Sequence, residues 1–100
     1  MFHERLNQAE IQARMKSIPQ WTCDLSHASI SNIWQFETYK TAIAMLVKVS
    51  DLAEIQNHHP EITSAYTRIR IKLWTHDAKG LTNKDFELAL AIDKLVAQEF

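Results

Sequence analysis

Arg68-Ile69-Arg70-Ile71-Lys72-Leu73 is the stretch from which the fold can be read. Charged and apolar residues alternate without a break, the period-two pattern of a strand with one face in a core and the other toward water. Helices must then cover the apolar side. Residues 62–66 just before it read as a partner strand, with a tight turn near Thr67 and strand character continuing to Trp74. The turn holds no glycine, so this expectation rests on alternation rather than on turn chemistry.

Upstream, Tyr39 to Asn57 reads as the longest helix, with Thr38 as its N-cap. Its apolar residues, from Ala42 through Ile55, occupy more than half of its circumference, whereas a helix lying on a sheet needs a stripe only about 100° wide. The surplus line Met45, Val49 and Leu52 is read as an oligomer contact; the plainer alternative is a helix set deeper in its own core. Leu6 to Ser17 forms a shorter amphipathic helix, with Asn7 and Glu10 at capping-box spacing, Leu6, Ile11, Met15 and Ile18 on one stripe, and Pro19 ending it. Between these helices, Trp21 to Leu25 and Ile30 to Glu37 read as strands joined across Ser26–Ser29. Ile30, Ile33, Trp34 and Phe36 do not alternate cleanly, which admits a twist or bulge near Asn32. After a loop containing Gly80, Thr82 caps a last helix, with Asp85 at its third position and an apolar face running from Phe86 to Val96. The predicted fold is α+β: a four-stranded antiparallel sheet with three helices packed on one face, in the order α-β-β-α-β-β-α, as one domain over residues 1–100.

With 46% hydrophobic residues, the 100-residue chain can form an ordinary core without covalent staples. A formal net charge of −1 argues against a broad phosphate-binding face, so no nucleic-acid partner is expected. The strip Arg68, Arg70, Lys72 reads as the solvated side of its strand. Cys23 stands alone, leaving no internal disulfide and no cysteine pair for zinc, and reads as a buried structural thiol. The amino-terminal residues lack the apolar run of a signal peptide, and no segment reaches the ~20 apolar residues of a membrane span. A soluble, cytoplasmic protein is expected.

Three of the five histidines, His58, His59 and His76, sit at element boundaries: the end of the long helix and the end of the alternating strand. Imidazole, with a reference pKa of ~6.5, offers both protonation states near neutrality. A helix C-terminus favours its cation by about 0.3–1 kcal/mol. Glu54, four residues before His58, would do the same on a continuing helix. Pro60 disfavours helical geometry at His59, so the two adjacent rings should point in different directions. A histidine pair at a helix end is most often a solvated cap. Three imidazoles would also suffice for zinc, although no HExxH is present and adjacent histidines converge on an ion less easily than an i,i+4 pair. His3 and His27 receive no role.

Glu54-x-x-x-His58-His59-Pro60, then Tyr66, Trp74-Thr75-His76-Asp77, Gly80-Leu81-Thr82 and Asp85 together resemble the signature of pterin-4a-carbinolamine dehydratases. The match is dense from Glu54 to about Asp93 and looser over nearly the whole chain. The resemblance implies removal of water from 4a-hydroxytetrahydropterin to give quinonoid dihydropterin, recycling the cofactor of aromatic amino acid hydroxylases, with no metal or bound cofactor. It implies a homodimer or homotetramer, associating through a sheet edge and the long helix. Some relatives also act as dimerisation cofactors of a transcription factor, so a regulatory protein partner is the alternative role. Carried over residue by residue, His58, His76 and Glu54 are the catalytic candidates, while His59, Pro60, Trp74, Thr75 and Asp85 would hold the pterin. Trp74 has packing as a competing explanation, and Asp85 has helix capping. Two departures stand out: Gln20 where relatives often have glycine before the tryptophan, and Asn57 where some are acidic.

The chemistry suits these residues. Hydroxide is a poor leaving group, so an acid must protonate it while a ring-nitrogen lone pair expels it, and a base must then collect a proton from the cation. His58 and His76 can share these roles in either order.

Overall fold

The computed structural model describes residues 4–24 and 26–100. Asn7 opens helix α1 (Gln8–Met15) with the full capping box: its side chain accepts from the Glu10 N–H at 2.8 Å, while Glu10 accepts from the Asn7 N–H at 3.0 Å. Leu6, Ile11 and Ile18 are buried and Met15 half-buried, the stripe expected of this segment. The helix ends short of Ser17. Strands β1 (Thr22–Cys23) and β2 (Ile30–Gln35) follow, both shorter than anticipated. Leu25, which the sequence assigned to β1, and His3 lie outside the described residues.

Helix α2 (Tyr39–Gln56) is capped by Thr38, whose hydroxyl accepts from the Thr41 N–H. Strands β3 (Glu61–Ala65) and β4 (Arg68–Leu73) form the expected hairpin, and α3 (Asn83–Glu99) closes the chain. Tyr66 supplies the positive φ, 56°, that the glycine-free turn requires. The sheet order is β1-β2-β4-β3, antiparallel throughout, so β4 is an interior strand although its sequence neighbour β3 lies at an edge.

Pairing between β2 and β4 runs unbroken from Ile30↔Leu73 to Gln35↔Arg68. No bulge interrupts it at Asn32, contrary to the sequence reading. The irregular apolar pattern has another cause. Paired residues share a face, so Asn32 lies on the helix side with Ile71, while Ile33 lies on the open side with Arg70 and is 53% exposed. Ile69, Ile71 and Leu73 are completely buried, as their alternation foretold.

Met45 and Val49 are completely buried in the chain's own core, and Leu52 is packed against it. The oligomer line read from these residues is therefore corrected. Helix α2 packs against α3 as well as against the sheet, so it needs two apolar stripes within a single chain. The large apolar side chains it leaves in solvent are Tyr39 in its first turn and, farther along, Val47 and Ile55.

Two side groups bear on chemistry elsewhere in the fold. Burial, and secondarily the charge of Asp24, raises the Cys23 thiol above its ordinary pKa, so Cys23 is not an activated nucleophile. Burial also pushes the Asp93 carboxyl up, partly opposed by the hydrogen bond it accepts from the Trp21 indole at 2.8 Å.

The face assignment gives unequal costs for two strand isoleucines. Ile71→Ala should destabilise the fold by about 2–5 kcal/mol, whereas Ile33→Thr should stay within about 0.5 kcal/mol; urea unfolding of the two variants measures both. Asp93 carries a pH signature. Its folded-state pKa lies above the unfolded one, so its contribution is most favourable below the unfolded carboxylate range and is lost as pH rises through the folded value. Asp93→Asn keeps an acceptor for the indole and should remove that decline, which urea midpoints measured across acidic pH will reveal.

Candidate active site

The site begins where α2 stops. Asn57 adopts the left-handed conformation (φ 50°, ψ 45°), and its N–H reaches back to the carbonyls of Ala53 and Glu54. His58 N–H closes on the Ala53 carbonyl at 3.0 Å. This C-cap turns the chain out of the helix one residue before His58, so Glu54 and His58 never share a helical face. Glu54 instead comes within 3.4 Å of His59 Nε2, with both side chains largely exposed. The expected Glu54–His58 pairing is corrected on that ground.

His58 finds another acid. Its Nε2 lies 2.6 Å from Oδ1 of Asp85, which is completely buried, while the His58 side chain is only 11% exposed. Asp85 completes the capping box of α3: its Oδ2 accepts from the Thr82 N–H at 3.0 Å and from the Thr75 hydroxyl at 2.9 Å. The Thr75 hydroxyl proton is thereby committed, so at the 2.7 Å Thr75–Thr82 contact it is Thr82 that donates. The Thr82 oxygen in turn accepts from the Lys84 N–H. Every position on the buried carboxylate is thus filled by a group from a different part of the chain: the end of α2, the residues after β4, and the start of α3.

The strand β4 runs past its last paired residue into Trp74-Thr75-His76. A bridge between Thr75 and Gly80 folds the intervening loop back, with Thr75 N–H donating to the Gly80 carbonyl at 2.9 Å. The Trp74 indole N–H donates to Nδ1 of His76 at 3.0 Å. His58, His59, Trp74, Thr75 and His76 all line one open cleft of about 620 Å³, completed by Asn57, Asp77 and Lys84. The ends of α2 and β4 therefore meet, as the histidine reading required, and five of the candidate residues come together.

Glu54, Pro60 and Asp85 are not among the lining residues. Asp85 lies behind His58 rather than on the cleft wall. Sequence reasoning assigned no role to Asn57, Thr82 or Lys84 in building the cleft. The left-handed tendency of asparagine ahead of His58 was the signal available for the first. Lys84 enters because its ammonium donates to the Asn57 carbonyl at 3.3 Å, a contact between segments that no local pattern announces.

The two main histidines commit different ring nitrogens to protein partners, Nε2 in His58 and Nδ1 in His76. His76 receives a proton at Nδ1 from Trp74, so a neutral ring carries its own proton on Nε2. His58 points Nε2 at a carboxylate whose other oxygen already accepts two donors, so a neutral His58 ring donates from Nε2 and leaves Nδ1 as its bare nitrogen. Among the described residues, no group of three His, Cys, Asp or Glu side chains gathers in an arrangement able to hold a metal ion.

Comparison with known proteins bears on this geometry. The family described as pterin 4 alpha carbinolamine dehydratase matches residues 4–95. A protein of Chloroflexus aurantiacus, provisionally named a pterin-4-alpha-carbinolamine dehydratase, is 42% identical over 92 residues, covering 92% of this chain and 97% of its own. A protein of Rhizobium leguminosarum bv. trifolii with the same provisional name is 39% identical over 95 residues, covering 95% and 94%. The solved structure of a Brucella melitensis protein described as a transcriptional coactivator/pterin dehydratase superposes with a TM-score of 0.87 at 26% identity, covering 92% of this chain and 98% of that one.

Asp85→Ala would leave His58 and Thr75 without their buried partner and remove the α3 cap. The expected loss is about 3–5 kcal/mol of stability, measurable by urea unfolding, with Asp85→Asn losing less.

Proposed function

The chain belongs to the pterin-4a-carbinolamine dehydratase family, and on that premise we propose that it removes water from 4a-hydroxytetrahydropterin, giving quinonoid dihydropterin in the recycling of a tetrahydropterin cofactor. The observation that carries this reading is the meeting of His58 and His76 in one cleft, His58 holding Asp85 through Nε2 and His76 accepting from Trp74 at Nδ1, which leaves the opposite nitrogen of each ring for a substrate. His76 acts as the acid: its Nε2 proton passes to the 4a-hydroxyl oxygen, the C4a–O bond breaks, and water departs while the N5 lone pair forms the C4a=N5 bond. His58 acts as the base: its Nδ1 takes the N5 proton and leaves the neutral quinonoid product. Asp85 holds the resulting His58 imidazolium. Exchange with solvent returns a proton to His76 and removes one from His58, so no other reactant is consumed.

His59 and Thr75 serve to hold the pterin, and Trp74 does so while keeping His76 in the acid tautomer. Glu54 and Pro60 act from outside the cleft, Glu54 through its approach to His59. Among the described residues no helix is long and apolar enough to cross a membrane; we place the work in the cytoplasm.

A second reading concerns association. Val47 and Ile55 leave apolar surface on α2, 50% and 80% exposed, which favours a homodimer or homotetramer and offers a surface to a regulatory protein. The Brucella melitensis protein's description as a coactivator supports the same idea.

Stopped-flow turnover of synthetic 4a-hydroxytetrahydropterin tests the main reading. His58→Ala and His76→Ala should each lose about 10²–10⁴-fold in rate with an unchanged circular dichroism spectrum; wild-type rates in both would refute it. Trp74→Phe should keep the fold but lower kcat, and nitrogen NMR should show His76 passing from one tautomer to a mixture.

A further inference from the structure

Resting on the dehydratase reading, we infer that the open face of β4 is a subsite for an anionic substituent, so that the preferred pterin carries a phosphate or carboxylate on its side chain. Arg68, Arg70 and Lys72 form a single column there, each about 7 Å from the next along the strand. None of the three has a carboxylate within 4.0 Å among the described residues. Their cross-strand neighbours are Gln35 and Ala65 beside Arg68, Ile33 and Thr63 beside Arg70, and Ser31 and Glu61 beside Lys72. Glu61 is the sole carboxylate in these rows and sits next to Lys72, so the uncompensated charge is concentrated at Arg70 and Arg68.

Basic residues are common on edge strands, where they deter pairing with another chain. That explanation does not apply here, because β4 is flanked on both sides. A row of like charges costs self-repulsion, and an anion would relieve it. The planar fork of arginine suits both phosphate and carboxylate.

Trp74 joins the column to the cleft. It lines the cleft, and the Lys72 ammonium stands 5.2 Å from its ring centroid. On this inference the side chain of a pterin held between His58 and His76 lies past Trp74, where Lys72 is the first residue of the column and Arg70 the next. Lys84 and Asp77, of opposite charge, also border the cleft itself and give no net preference there.

The test compares 4a-hydroxytetrahydropterins bearing a neutral dihydroxypropyl chain, the same chain phosphorylated, and a glutamate-terminated chain. At low ionic strength the better of the two anionic substrates should have a KM about 3–10-fold below the neutral one. The ratio should fall toward one in 0.5 M salt, on the order of a Debye length of a few Å, and in the Arg70→Gln/Lys72→Gln double variant. Which anion gains more identifies phosphate or carboxylate as the source. Equal KM values for all three, or a ratio unaffected by salt and by the double variant, overturns the inference. Absence of turnover with every substrate would remove the dehydratase reading instead, and equilibrium binding of the corresponding neutral and anionic dihydropterins would then decide the subsite by the same ratio.

Discussion

A fully buried carboxylate holds the site together. An ionised side chain removed from water is costly unless its oxygens are filled by donors, and Asp85 is filled by His58, Thr75 and the Thr82 N–H. Each donor comes from a different element, so satisfying one charge also docks the end of α2 and the residues after β4 onto the start of α3. The same contacts fix the orientation of a histidine in the cleft. Stability and chemistry thus depend on a single set of hydrogen bonds, and the network is tight enough that no buried side-chain polar atom among the described residues lacks a partner.

The sheet supplies the rest of the geometry. As an interior strand, β4 is gripped by β2 and β3, which makes its continuation into Trp74-Thr75-His76 a rigid support rather than a free loop. On the opposite wall, the Asn57 cap ends α2 and releases His58 and His59 in different directions. His58 turns inward to Asp85, while His59 stays 60% exposed beside Glu54. Proton chemistry requires one ring to be fixed and its partner to be reachable, and this arrangement provides both.

Much of this was legible locally. The alternation from Arg68 to Leu73, the Asn7–Glu10 and Thr82–Asp85 boxes and the Thr38 cap each report a short-range pattern, and each appears where its residues predicted. Failures came where two distant segments compete for one residue. Glu54 at i−4 looked like the partner of His58, but Asn57 broke the helix and Asp85, 27 residues away, took that place. Met45 and Val49 looked surplus only because a helix packed on both a sheet and α3 cannot be told, by pattern, from one packed on a neighbouring subunit. Asn32 facing inward and Ile33 outward blurred the β2 alternation although its pairing is regular. The three boundary histidines and the family signature led to the cleft; the nitrogen that each ring offers required the tertiary hydrogen bonds.

The central claim is that one bicyclic ligand touches the rings of both His58 and His76 from the same cleft. Titrating the protein with a stable dihydropterin while following imidazole nitrogen and carbon NMR signals tests it directly. Both rings should shift together along one saturation curve, with the His58 change concentrated at Nδ1 and the His76 change at Nε2. A response confined to one ring, or two curves with different midpoints, would contradict the account.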